Sequence, residues 1–223
     1  MTKVAVVLSG CGFLDGAEIH ESVCVLLNLS RRGARVSCFA PDAPQAHVVD
    51  HAKGHVAENE SRNTMAEAAR ITRGDIKPLC SLHAEDFDAL VMPGGFGVAK
   101  NLCDFAFNGA GMHVEPEVER IITGFRSAEK PIGLCCIAPI LAAKLIPGAT
   151  LTLGAPSEAT HAAEHLGATH VEAPVTEIVI DEANRLVTTP AYMYGDAPIH
   201  EVETGIAALV EKTLELASAP VAG

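Results

Sequence analysis

The sequence predicts an α/β chain built on a mostly parallel central sheet, and three observations predict it. Strand-like and helix-like runs alternate along all 223 residues, and repeated βα units imply parallel strands joined by right-handed crossovers. Hydrophobic residues make up 48% of the chain but aromatics only 4%, with no Trp. Such a core is made of Ala, Val, Ile and Leu, as in parallel sheets covered by helices. No linker, composition shift, internal repeat or low-complexity tract divides the chain. Residues 1–223 therefore read as one domain, large enough to bury a sizeable core.

The elements follow in order. Lys3–Ser9 is a β-branched run and the first strand. Gly16–Arg32 is helical, with Ile19, Val23, Leu26 and Leu27 at helical spacing and Gly33 as its stop. Arg35–Ala40 is the second strand. Pro41–Arg62 is polar and His-rich, a loop with room for a short strand pair, and Thr64–Arg73 is a helix. Ala89–Met92 is a buried strand that ends at Pro93-Gly94-Gly95. Asn101–Val114 carries Gly109 and Gly111 and reads as an excursion or lid. Glu115–Ala128 is an amphipathic helix, and Pro131–Cys135 the strand after it. Thr150–Leu153, Glu177–Asp181 and Arg185–Thr189 fit further strands, and Pro198–Ala217 is a closing helix.

The totals exclude several function classes. A formal charge of −12 argues against general affinity for nucleic acid or anionic membrane. No apolar run reaches the roughly 18–20 residues of a membrane span. Seven scattered Cys with no CxxC pair point to free thiols in a reducing, cytoplasmic compartment. The alternative is an organelle matrix reached after removal of a targeting segment.

In open parallel sheets, sites form beyond the carboxyl ends of the strands. Three segments end strands in this way: Ser9–Gly16, Pro93–Gly97 and Cys135–Pro139. The third reads as strand, sharp turn and a helix opened by Pro139. A thiol at such a turn is pushed outward, and the helix start behind it favours thiolate. Which cysteine serves is open on local sequence. Cys135 has small Gly133 two before it and bulky Ile137 two after. Cys136 has Leu134 before and small Ala138 after. Two ordinary core thiols are the competing reading. Gly94 and Gly95 can turn backbone N–H groups towards a ligand, as an oxyanion site requires. Glu18 and Glu21 stand three apart on one helix face. Either carboxyl could move a proton for the thiol, although on pattern alone a solvated face, or first-turn acids favouring the helix dipole, is the better account.

Other motifs fail. Gly10-Cys-Gly12-Phe-Leu-Asp15-Gly16 places its third Gly one position late for a dinucleotide loop, and there is no P-loop. NAD, flavin and ATP are not expected. His47, His51 and His55 stand four apart with Asp50 beside them, but Gly54 and weak periodicity argue for a solvated loop. His161, His165 and His170 form no better cluster: His161 and His165 fit one helix face, but only Glu164 stands near as a further ligand, so no metal is expected.

Together these segments resemble the PfpI-like branch of the class I glutamine amidotransferase-like superfamily, and within it the ElbB-like proteins associated with isoprenoid biosynthesis. The resemblance is carried by Leu8-Ser-Gly-Cys-Gly12, Gly16-Ala-Glu-Ile-His-Glu21, Ala68-Ala-Arg-Ile-Thr-Arg-Gly74, Val91-Met-Pro-Gly-Gly-Phe-Gly97, Lys100-Asn-Leu102, Cys136-Ile-Ala-Pro139 and Val187-Thr-Thr-Pro-Ala-Tyr-Met193. It implies a flavodoxin-like three-layer α/β sandwich, usually dimeric. It also implies Cys136 as nucleophile and Glu21 as the acidic residue that approaches it. Gly94, Gly95 and the amide of Ile137 are implied as the oxyanion site, and Cys11, Asn101 and Tyr192 as pocket residues. Ile137 stands where many PfpI-like hydrolases have His, and His200 lacks the His-x-Glu spacing of glutamine amidotransferases. A Cys-His-acid triad therefore cannot be assembled, which argues against protease and glutaminase activity. The remaining Cys–Glu pair resembles that of cofactor-free glyoxalases and of the Parkinsonism-associated deglycase. It implies conversion of glyoxal or methylglyoxal to 2-hydroxy acids without metal or glutathione. The alternatives are a cysteine-based redox sensor and a metabolite-binding protein without turnover.

Overall fold

The computed structural model describes residues 1–219. In chain order the strands are β1 (Lys3–Val7), β2 (Arg35–Ala40), β3 (Val49–Asp50), β4 (His55–Val56), β5 (Lys77–Pro78), β6 (Ala89–Met92), β7 (Ile132–Cys135), β8 (Thr150–Leu151), β9 (Thr169–His170), β10 (Val179–Asp181) and β11 (Leu186–Thr189). The helices are α1 (Ile19–Arg31), α2 (Thr64–Ala68), α3 (Phe105–Asn108), α4 (Pro116–Ser127), α5 (Pro139–Leu145), α6 (Glu158–His165) and α7 (Ile199–Ser218). Seven strands form the main sheet in the order β10-β11-β7-β6-β1-β2-β5. Only β10 runs antiparallel to its neighbour, and the sheet is otherwise parallel.

The central strands alternate between two cores, because successive side chains leave a strand on opposite faces. Val4, Val6 and Leu8 join one core, with Val25, Leu29, Ile206 and Val210 of α1 and α7. Ala5 and Val7 join the other, with Ile121, Phe125, Ile140 and Leu141 of α4 and α5. Both faces are thus dry, which is why the strands read as continuous apolar runs. This is the predicted three-layer sandwich.

Several expectations need correction. α1 buries Cys24, Val25, Asn28 and Leu29, while Ile19, Val23 and Leu27 are 43%, 49% and 40% exposed. Apolar residues occupy more than one face of this helix, and packing on α7 selects the face that the spacing did not. α2 stops at Ala68, and the chain then turns through Arg73 and Gly74, both at positive φ. The strand expected over Thr150–Leu153 is two residues long and lies outside the main sheet, paired with β9. Between them α6 was not expected. Its Ser157–Thr160 capping box is present, but its few apolar residues are mostly Ala, which leaves a weak period.

Candidate active site

β7 delivers Cys136 to the carboxyl end of the sheet. Its amide donates to Thr189 O at 3.0 Å, extending the pairing with β11 by one residue. The chain then turns so sharply that Cys136 takes φ +58°, a left-handed conformation in which a side chain is strained. Pro139 opens α5 three residues later. Cys136 is 7% exposed, and what remains accessible faces a cavity. The backbone amides of Gly95 and Ile137 favour the charged form of its sulfur.

The carboxylate comes from the first turn of α1. Glu18, the N-cap, accepts from the Glu21 amide at 2.7 Å and so fixes the helix start. Glu21 then points inward and is fully buried. Its Oε2 accepts from the Gly94 amide at 2.8 Å and from the Cys135 thiol at 3.8 Å, and its Oε1 accepts from the Tyr192 amide at 3.2 Å. Glu18 and Glu21 therefore do different things: one caps, the other enters the site.

Gly94 is where the two groups meet. A Cβ there would lie 2.5 Å from Cys136 Cβ, 2.9 Å from Cys136 Sγ and 2.9 Å from Glu21 Oε2. Its neighbour Gly95 holds φ +93°, and a Cβ on it would strike the Glu18 amide at 2.4 Å. Neither position admits a side chain. Gly94→Ala is expected to push Cys136 aside and to cost about 1–3 kcal/mol by overpacking. A lowered unfolding midpoint with loss of Cys136 alkylation checks it.

Burial dominates the electrostatics. It raises the Glu21 carboxyl to about 7, helped by the charge of Glu18 and opposed by the Gly94 and Tyr192 amides. Burial and the Glu21 charge also push the Cys136 thiol upward, and Cys135 with it. This corrects the expectation of an exposed thiol lowered by a helix start. The sulfur is nearly enclosed and stands beside a carboxylate, and α5 is only seven residues long. Two acids in one dry site cannot both ionise cheaply, so the pair binds one proton over a wide pH range.

The cavity measures about 730 Å³ and is walled by Phe13, Phe96, Phe105 and Phe107, with Tyr192 beside Cys136. The 101–114 excursion thus shapes the pocket. Tyr192 lines the wall, and its hydroxyl is hydrogen-bonded to His20 Nδ1 at 2.9 Å. Cys11 and Asn101 do not line the cavity, and both pocket assignments are corrected. Cys11 lies towards Glu67, Arg70 and Asp15. Asn101 is a tie between loops: it donates to Ser9 O and Asp15 O, both at 2.9 Å, and accepts from the Ala46 amide at 2.9 Å. Asn101→Ala removes three bonds and is expected to cost roughly 2–3 kcal/mol at about 1 kcal/mol each, read by denaturant unfolding. Among the described residues no histidine is hydrogen-bonded to Cys136. His51 instead meets the Leu14 amide, and His55 the carbonyl of Lys53.

Sequence reasoning missed the phenylalanine wall. A signal was available: four of the chain's seven Phe fall beside Gly12, between Gly95 and Gly97, and in the Gly-containing excursion, outside every strand and long helix the sequence predicts.

The chain is similar to proteins of known name. A rat protein called ES1 protein homolog, mitochondrial, is 51% identical over 96% of this chain and 84% of its own length. A human protein called glutamine amidotransferase-like class 1 domain-containing protein 3, mitochondrial, is 50% identical over 96% and 83%. Among solved structures, an Ehrlichia chaffeensis isoprenoid biosynthesis protein with an amidotransferase-like domain superposes with a TM-score of 0.89 at 36% identity, covering 97% of this chain and 99% of that one. Drosophila melanogaster DJ-1beta, at 21% identity and a TM-score of 0.54, covering 97% and 95%, shares the fold. No family model matches the chain.

Proposed function

Because the chain belongs to the family of ES1 and glutamine amidotransferase-like class 1 domain proteins, we propose that Cys136 and Glu21 are its catalytic pair and that it converts 2-oxoaldehydes to 2-hydroxy acids. The observation that carries this reading is the convergence of the Cys136 sulfur and the Glu21 carboxyl on Gly94. The whole chain, 1–223, acts as one glutamine amidotransferase-like domain in this reading, as a homodimer.

The chemistry balances without a redox partner. The Cys136 sulfur adds to the aldehyde carbon of glyoxal or methylglyoxal, and the thiol proton passes through Glu21 to the carbonyl oxygen, giving a hemithioacetal. Glu21 then takes the proton on that carbon and returns it to the neighbouring carbonyl carbon, while the oxygens exchange a proton. The first carbon is oxidised to a thioester and the second reduced to an alcohol. The Gly95 and Ile137 amides face the oxygen that gains charge at each stage. Water then cleaves the thioester, releasing glycolate or lactate and restoring the thiol. A carboxyl that titrates near neutrality suits a group that both gives and takes this proton.

The test is consumption of glyoxal and methylglyoxal by purified protein without glutathione, with the hydroxy acid identified as product. Apparent deglycation follows from the same chemistry, because removal of free aldehyde reverses early adducts. Protein that forms no glycolate or lactate sinks the reading.

A second reading rests on the same geometry. Cys136 is the one cysteine among the cavity's described residues, and peroxide could oxidise it in two steps to a sulfinic acid held by Glu21 and the amides. Selective addition of two oxygens at Cys136 after mild peroxide supports it, and scattered oxidation of several thiols removes it. Binding of a metabolite without turnover predicts a tight ligand and an inert sulfur. The rat and human relatives are mitochondrial by name, so the organelle matrix is the compartment proposed. No helix among the described residues is long and apolar enough to cross a membrane.

A further inference from the structure

We propose that the cavity over Cys136 is built for an uncharged aldehyde bearing a bulky apolar group, namely an aryl or branched-alkyl 2-oxoaldehyde, and selects against anionic ones. This rests on the proposed aldehyde chemistry of Cys136 and adds the substrate class.

Size is the first argument. Methylglyoxal has five non-hydrogen atoms and fills on the order of 150 Å³ if each takes about a water's share of liquid volume. The cavity is about 730 Å³, in the range that holds ligands several times larger.

The wall is the second. Phe13, Phe96 and Phe107 are 48%, 47% and 54% exposed although each borders the cavity. Rings with no occupant ordinarily collapse onto a core. These are braced from outside: Phe13 edge-on to His51 at 5.6 Å, Phe107 edge-on to His47 at 5.5 Å, and Phe96 beneath the Lys100 ammonium at 5.2 Å. The result is a preformed apolar surface within reach of the sulfur.

Charge is the third. Glu18 and Glu158 line the cavity, and no Lys, Arg or His is among its described lining residues. The nearby Lys100 amine donates to Leu14 O at 2.8 Å. An aldehyde that carries a carboxylate would meet two acids in the lining, while the Lys100 ammonium behind Phe96 is held on Leu14 O.

The test separates substrate class from turnover. Full-length protein is treated with iodoacetamide, N-benzyliodoacetamide or iodoacetate. In each case an S–C bond forms at Cys136, iodide leaves with the bonding electrons and the thiol proton goes to solvent. Rates at Cys136, read by peptide mass spectrometry, are divided by those of N-acetylcysteine. The benzyl reagent is expected to gain about tenfold over iodoacetamide, and iodoacetate to lose about tenfold, each step being ~1.4 kcal/mol. In Phe107→Ala the benzyl advantage is expected to fall towards the free-thiol value. Ratios that match the free thiol overturn the proposal, as would be found if a second copy of the chain covered the phenyl wall. It is likewise overturned by a benzyl advantage that survives in both Phe105→Ala and Phe107→Ala, and by a Cys136 that none of the reagents modifies. A benzyl advantage in protein that forms no hydroxy acid supports the apolar site and sinks the catalytic reading instead.

Discussion

Cys136→Ser is expected to lower 2-oxoaldehyde turnover at least about 10³-fold, while Cys135→Ser keeps it within about tenfold. The two side chains are neighbours in sequence but not in role. Cys135 is the last residue of β7, fully buried in the core shared with α1 and α7, and reaches the site from behind, through a long contact to Glu21 Oε2 and the Gly94 amide. Cys136 alone borders the cavity and has the Gly95 and Ile137 amides. Serine keeps the shape at either position but is a far weaker nucleophile at neutral pH. Steady-state product formation by both variants, with melting curves to show that each is folded, decides it. Equal loss in the two variants, or none in Cys136→Ser, removes Cys136 from the mechanism.

Glu21→Gln carries the second large effect, on rate and on stability. The amide keeps an acceptor oxygen but cannot shuttle a proton, so kcat is expected to fall about 10²–10³-fold. The wild-type pH–rate profile should show a transition near the Glu21 value of about 7, which the variant lacks. The stability effect has a definite sign. The folded carboxyl sits at about 7 against an ordinary value of 4.5. Folded protein therefore holds a proton that unfolded protein has released. The resulting stabilisation is complete below the unfolded value and is lost as pH rises through the folded one, roughly 3 kcal/mol in all. Glutamine is neutral throughout, so the part of the stability slope between about pH 4.5 and 7 due to this residue should vanish in Glu21→Gln. Denaturant unfolding at several pH values measures it, and a variant slope equal to wild type sinks the assignment of a raised carboxyl.

The sheet was legible because parallel strands buried on both faces write themselves as unbroken apolar runs. β1, β2, β6, β7 and β11 lie where the runs do, within a residue or two. Cys136, Glu21, Gly94 and Gly95 were legible for another reason: each answers a local demand of turn, helix start or close approach that few residue types meet. What was hidden depends on contacts far apart in sequence. The buried face of α1 is chosen by α7, and nothing within the helix marks it. Glu18 and Glu21 look alike in the sequence, and only the Gly94 carbonyl and amide, one accepting from the Glu18 amide and the other donating to the Glu21 carboxyl, tell cap from catalytic candidate. The thiol was misread because turn geometry and helix direction are local, whereas desolvation is set by the whole surrounding core. Asn101 was placed in the pocket by resemblance, yet its three bonds serve loops that only the fold brings together.

The central strand order β1-β6-β7 also sets when the site can exist during folding. Glu21 meets Gly94 across 73 positions, Cys135 across 114 and Tyr192 across 171. Loops of that length must close before any of these contacts is made, and sheets so dominated by distant pairings fold slowly. No fragment short of β7 and the Tyr192 turn holds the full set of Glu21 partners. Helix content should accordingly return early in refolding, while the native reactivity of Cys136 returns only with the last phase. That sulfur is a built-in clock for completion of the sheet centre, readable by pulsed alkylation in a protein with no Trp to report on its core.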